Sequence, residues 1–256
     1  MCVRNRAAIL QPGYIPWLGF FEQMYRCETF VFLNDVKYTE HDWRNRNRIK
    51  TSAGVLWLTV PVVTKGLEGQ KINEARIDNT QKWQMKHIKT FETYYGRAGY
   101  FNMYFEDLKY FFTQNYTHLC PLVVDIALWI NEKLGLRRRT LFSSDLGVKY
   151  DLKQDRLVYL LQSLGSNSFY EGQSGKNYID SGLFARNGIA VEFQDYEHPF
   201  YNQLWSKEIG YVSHLSTMDL LFNHGPESLG ILTGETIIRN DNGISVHHAD
   251  EFRRNR

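Results

Sequence analysis

Four stretches of the chain hold the side chains able to do chemistry. The first is "VFLNDVKYTEHDWRNRNRIK", Val31 to Lys50. Asn34 and Asp35 close an apolar run and lead into Arg44, Arg46, Asn47 and Arg48. Alternating Arg and Asn offer forked donors that match phosphate or carboxylate. In an extended segment Arg44, Arg46 and Arg48 point one way. A solvated loop, or an Arg–Asp network that stiffens it, is the competing reading. Nucleic acid fits poorly, because the basic stretch is short and isolated.

The second stretch is "YEGQSGKNYID", Tyr170 to Asp180. Gly172, Ser174 and Gly175 let backbone amides approach an anion, and Lys176 adds charge. It is not a Walker A loop, and taken alone it reads better as an ordinary tight turn. In "YEHPFYNQLW", His198 is a side chain able to carry a proton near neutral pH. Tyr201 and Gln203 lie close enough in sequence to orient it; a structural histidine bonded to backbone is the alternative. In "STMDLLFNHG", Ser216 and Asp219 nearly form a capping box, with Asp in place of Glu. Asp219 can serve both the cap and a site. His87, in "WQMKHIKTFE", is a further binding candidate set against a plain core role. No His, Cys, Asp or Glu set has metal-ligand spacing. There is no G-x-S-x-G, and Cys2, Cys27 and Cys120 have no redox spacing.

These loops need a frame. "AAIL" (Ala7–Leu10) reads as a buried strand, Pro16–Arg26 as a helix, and "TFVFL" (Thr29–Leu33) as a second buried strand. Pro16 suits the first helical turn because it has no N–H to leave unpaired. Two strands joined by a helix pair in parallel, and ligands then sit beyond their carboxyl ends. That puts Gln11, Tyr14 and Trp17 on one rim with Asn34 and Asp35. Val55–Val63 reads as a third strand and Ile72–Ile77 as another. Apolar helical spacing dominates from about residue 80 to 135. Short strands follow at "RRRTLF", "SFYEG" and Ile189–Tyr196.

The 256 residues suit one large domain, and 43% hydrophobic content supplies its core. A formal charge of +2 argues against a general nucleic-acid or membrane binder. No apolar run reaches the roughly eighteen residues a membrane span needs. Unpaired cysteines and the early Pro12 indicate a cytoplasmic protein without a secretory leader.

The blocks "ILQPGYIPWLGFFEQM", "VFLNDVKY", "WRNRNRIKT", "WLTVPV", "WQMKHIKT", "YEGQSGKNYID", "VEFQDYEHPFYNQ" and "STMDLLFNHG" appear in this order. Together they resemble the WbqC-like family, from about Ile9 to Gly225. That resemblance implies a place among bacterial surface-polysaccharide genes, notably lipopolysaccharide O-antigen clusters, and near natural-product genes. The opening also resembles the HIGH-type nucleotidylyltransferases and pantothenate synthetases. There an H-x-G-H sequence contacts nucleotide phosphates; here Trp17-Leu18-Gly19-Phe20 stands in its place, without either imidazole.

The expected fold is thus a Rossmann-like, mostly parallel α/β sheet with a helical middle section. It forms one domain over 1–240, with a loose tail over 241–256. The expected function is a biosynthetic enzyme of surface glycans or related small molecules, transferring an acyl or aminoacyl group to an amine. Nucleotidyl transfer and a non-catalytic scaffold for glycan-synthesis enzymes are the alternatives. In the enzyme reading His198, Asp35 and Asp219 carry the chemistry. Gln11, Tyr14, Trp17, Asn34, Arg44, Arg46, Asn47, Arg48, His87, Gly172, Ser174, Gly175, Lys176, Tyr201 and Gln203 hold the substrates. No metal is expected. The residues name no cofactor; a nucleotide- or thioester-linked donor is one option. The expected partners are a small-molecule or sugar-nucleotide substrate and, as an option, other glycan-synthesis enzymes.

Overall fold

A computed structural model describes residues 5–147, 153–240 and 243–248. Its central sheet grows from the first apolar run. Strand β1 (Arg6–Leu10) pairs in parallel with β2 (Thr29–Phe32), and helix α1 (Leu18–Arg26) joins them. The next elements are a hairpin, β3 (Arg46–Thr51) and β4 (Gly54–Thr59), and then α2 (Trp83–Tyr95), α3 (Phe101–Thr113) and α4 (Leu119–Lys133). Strand β5 (Arg139–Phe142), α5 (Lys153–Ser163), β6 (Ser168–Glu171), α6 (Ser181–Arg186) and β7 (Ala190–Phe193) follow. After them come α7 (Ser206–Ile209), α8 (Thr217–His224) and α9 (Ser228–Thr233). A hairpin of β8 (Glu235–Asn240) and β9 (Gly243–His248) closes the described chain; of the tail expected over 241–256, residues 241–242 and 249–256 lie outside the described residues.

The sheet order is β5-β2-β1-β6-β7, with every pair parallel. Counting these five strands in chain order gives 3-2-1-4-5, the doubly wound arrangement. The order reverses between β1 and β6, so the crevice at their carboxyl ends is the expected ligand position.

Strand alternation divides the core in two. Ala8, Phe30 and Phe32 face α1 and an aromatic core shared with α2, α3, α4 and α8. Ala7, Ile9 and Val31 face the other way, onto Val158 and Leu161 of α5 and Phe184 of α6. Burial on both faces explains why these strands read as continuous apolar runs. Among the described residues, no helix is long and apolar enough to cross a membrane.

Two expected strands differ. Val55–Val63 belongs to the antiparallel β3–β4 hairpin, not the main sheet, and its strand ends at Thr59. Ile72–Ile77 forms a short 3-10 turn at Ile72–Glu74 and isolated bridges at Arg76 and Ile77. Its carbonyls and amides meet loops, including Ile77 N–H to the Thr117 carbonyl, so no ladder forms. The segment between β2 and β5 leaves from the carboxyl end of β2, and its first part, from Val36 to Arg48, reaches the crevice there. Helix α4 then supplies the return to β5.

Asn47 of β3 fastens this insertion to the loop after β1. Its Nδ2 donates to the carbonyls of Tyr14 (3.1 Å) and Ile15 (2.9 Å). Tyr14 N–H donates to the Trp43 carbonyl at 3.1 Å. Ile15 is fully buried with φ of 38°, a costly conformation for a β-branched residue before proline. Replacing Asn47 by Ala leaves two buried carbonyls without that donor. We expect a loss of about 2–4 kcal/mol, read as a lower denaturant midpoint with unchanged slope; wild-type stability would show that the loop holds itself.

Candidate functional site

A crevice of ≈ 1120 Å³ opens at the switch point. Leu10 and Gln11 from the end of β1, Leu33 from just beyond β2 and Glu171 from the end of β6 form its floor. The inserted segment supplies Lys37, Trp43, Arg44, Asn47 and Arg48, and α5 supplies Arg156. Trp17 and His214 close another side, their rings stacked at 5.2 Å.

The lining is cationic. Lys37, Arg44, Arg48 and Arg156 face a single acidic residue, Glu171. Each arginine is held by a partner. Arg44 bonds the Gln11 carboxamide and pairs with Asp42 at 3.4 Å. Arg48 donates to the His214 carbonyl at 2.8 Å. Arg156 pairs with Asp35. Burial pushes the Asp35 carboxyl up, but the Ser143 hydroxyl and Arg156 outweigh it and hold it below the usual range. Asp35 therefore stays ionised and positions Arg156.

Glu171 is the opposite case. It is 9% exposed, and burial pushes its carboxyl up to about 7 against the Gly172 N–H and Tyr178 hydroxyl that bond it. A carboxyl near neutrality can both give and take a proton.

The expected residues divide accordingly. Gln11, Trp17, Arg44, Asn47 and Arg48 line the crevice. Tyr14 and His87 do not; they bond each other at 2.8 Å inside the aromatic core, where burial lowers His87 to about 3. Asn34 is buried and ties β2 to Ser143 and Ser144 after β5. Arg46 shares the outer face of β3 with Arg48 and lies over Trp57 at 4.5 Å. Arg44 precedes the strand and so leaves that row.

His198, Asp35 and Asp219 are not brought together at one point. The His198 Nδ1 meets the Pro199 carbonyl (3.0 Å) and the Tyr211 hydroxyl (2.9 Å), and burial lowers its pKa to about 4. Its ring touches Tyr201 and His214, so it stands behind the crevice wall. Asp219 is fully buried; burial raises it to about 6 although Tyr95 donates to it at 2.8 Å. Ser216 caps α8 through the Met218 amide. Gln203 accepts from the buried Lys50 ammonium at 3.0 Å. Ser174, Gly175 and Lys176 lie in a 3-10 turn (Gln173–Asn177) that follows Gly172 beside Glu171, with Ser174 and Lys176 exposed and outside the lining.

Sequence reasoning missed Lys37, Arg156, Glu171 and His214. Only Glu171 carried a signal, as the last residue of a strand beside the switch point. Among the described residues, no group of three or more His, Cys, Asp or Glu could hold a metal.

The profile of the WbqC-like protein family matches residues 11–231, a span that includes nearly every crevice residue. The chain belongs to this family. It is 37% identical over 226 residues to the uncharacterized protein Rv1507c of Mycobacterium tuberculosis (strain ATCC 25618 / H37Rv), covering 88% of this chain and 96% of that relative. No solved structure matches it. In this WbqC-like chain the family blocks "QPGYIPW" and "WRNRNR" are therefore two walls of one crevice.

The Glu171 shift has a stability consequence. The folded protein keeps this proton up to about pH 7, while the ordinary value is 4.5. Its favourable contribution is present below 4.5 and is lost as pH rises through 7. Glu171→Gln escapes that loss. Its stability relative to wild type should rise by roughly 3 kcal/mol between acid and mildly basic pH, measured by denaturant unfolding. A difference independent of pH would show that the carboxyl ionises normally.

Proposed function

We propose that the crevice binds a nucleotide- or thioester-linked donor and transfers its acyl or aminoacyl group to an amine, in the biosynthesis of surface glycans or related small molecules. The observation that carries this reading is the cationic, aromatic-walled crevice at the sheet's switch point. Four cations there suit the phosphates of a donor, and bidentate arginine favours such groups. Trp17 and Trp43 offer flat faces for a base or a sugar. Family membership supports the biosynthetic setting but names no reaction.

Transfer of a nucleotidyl group is the weaker reading. The Trp17 indole covers the first turn of α1, so closely that a Cβ on Gly19 would stand 2.2 Å from it. A scaffold reading draws on Trp43, Val55 and Trp57, which are about two-fifths exposed on the hairpin side.

Thermal unfolding with ATP, UDP-N-acetylglucosamine and acetyl-coenzyme A separates these readings. At a hundred times its Kd, a bound donor adds about 2.7 kcal/mol, or roughly 5 °C or more in Tm for a chain of this size. We expect this shift from a phosphate-bearing donor, its reduction by salt, and its loss in Arg44→Ala/Arg156→Ala. Absence of any shift across the panel would favour the scaffold.

A further inference from the structure

We propose that Glu171 is the acid–base residue of the crevice, taking the proton of the acceptor as it attacks the donor. This rests on the group-transfer reading and assigns the proton that reading leaves unplaced. The geometry begins with position. Glu171 ends β6, at the point where the sheet order reverses, and it is the acidic residue of the lining.

The second support is how it is held. Oε1 accepts the Gly172 N–H at 3.1 Å and the Tyr178 hydroxyl at 3.3 Å. Among the described residues, none donates to Oε2. A Cβ on Gly175 would stand 2.3 Å from the Glu171 Cγ and 3.1 Å from its Cδ. Gly175 thus leaves the space in which this side chain folds. The turn in "YEGQSGK" holds the Glu171 carboxyl, through the Gly172 N–H and the space at Gly175.

The third support is the electrostatic setting. Tyr178 from the following turn, Arg156 from α5, Arg48 from β3, Arg44 and Lys37 from the inserted segment, and His214 from the loop before α8 share the cavity. None of these cations forms an ion pair with Glu171, and burial dominates its ionisation. The carboxyl is therefore able to exchange a proton, while the arginines, held in place by Gln11, Asp42, the His214 carbonyl and Asp35 and not by Glu171, face the donor's phosphates.

The step balances simply. The acceptor's lone pair forms the new bond to the donor's electrophilic carbon. Its proton passes to Oε2, giving the neutral acid. The bond to the leaving thiolate or phosphate breaks with its electron pair, and that anion departs among the arginines.

The test uses UDP-N-acetylglucosamine, whose esterified diphosphate does not itself titrate near neutrality. Protein labelled with 13C at the glutamate carboxyls is titrated with and without it. We expect one resonance, absent from Glu171→Gln, to titrate near neutrality and to shift its midpoint upward when the ligand binds. Gly175→Ala, which keeps the charge but crowds the side chain, should displace that midpoint. In turnover with the donor that stabilises the protein, Glu171→Gln should lower kcat by about 100-fold or more, with donor affinity, measured at acid pH where the wild-type carboxyl is neutral, kept within about twofold. Ligand binding without a shift of that resonance, or wild-type kcat in Glu171→Gln, would overturn this assignment and leave the crevice reading standing. Failure of every phosphate-bearing ligand to bind would overturn both.

Discussion

The carboxamide of Asn47 is the constraint on which the site depends. One nitrogen holds two successive carbonyls of the β1–α1 loop and keeps Ile15 in a left-handed conformation. Such a conformation costs of order 1–3 kcal/mol and persists only where neighbours over-determine it. Here they do. Thr217 N–H bonds the Pro16 carbonyl, Ser216 N–H bonds that of Arg48, and Trp17 bridges Ser216. Three segments distant in sequence are thereby laced into one wall. Trp17, Arg48 and His214 occupy their places because that lacing sets the backbone beneath them.

The same economy governs charge. Arg44, Arg48 and Arg156 are each anchored by an uncharged acceptor or an acid before any ligand arrives. An arginine already ordered loses less side-chain entropy on binding, which is how a pre-formed site gains affinity. Deeper in, the Lys50 ammonium is fully buried yet bonded by Gln203, Ser206 and the Gly210 carbonyl. It joins β3 to the segment after β7. Removing one of these acceptors would leave a buried ammonium with an unmet donor, a costly loss.

Much of this frame was legible in the sequence. Buried apolar runs joined by a helix fixed the parallel pair β1–β2, and that pair put Gln11 and Trp17 on the ligand rim. Forked donors after the next strand marked Arg44 and Arg48. What local pattern cannot convey is the direction of a side chain after a backbone reversal. Tyr14 sits among rim residues in sequence but turns into the core to meet His87. Arg156 lies in an ordinary amphipathic helix and gains its role from Asp35. Glu171 looked like the polar end of a strand, because its burial comes from tertiary packing. The glycines of the turn after it allowed an anion loop in sequence; in the fold Gly172 N–H bonds the Glu171 carboxyl and Gly175 leaves room for its side chain.

The strand order also dictates when the protein can take shape. Ala7 of the central strand pairs with Thr29 on one side and with Phe169 on the other. Thr29 waits for Arg139. A nascent chain therefore carries its central, buried strand through most of synthesis with one edge open. Parallel pairings so far apart form late, because loop closure must precede their reward. Until then that edge is a template for wrong partners. The aromatic helices between β2 and β5, made early and rich in local contacts, are the elements available to shelter it.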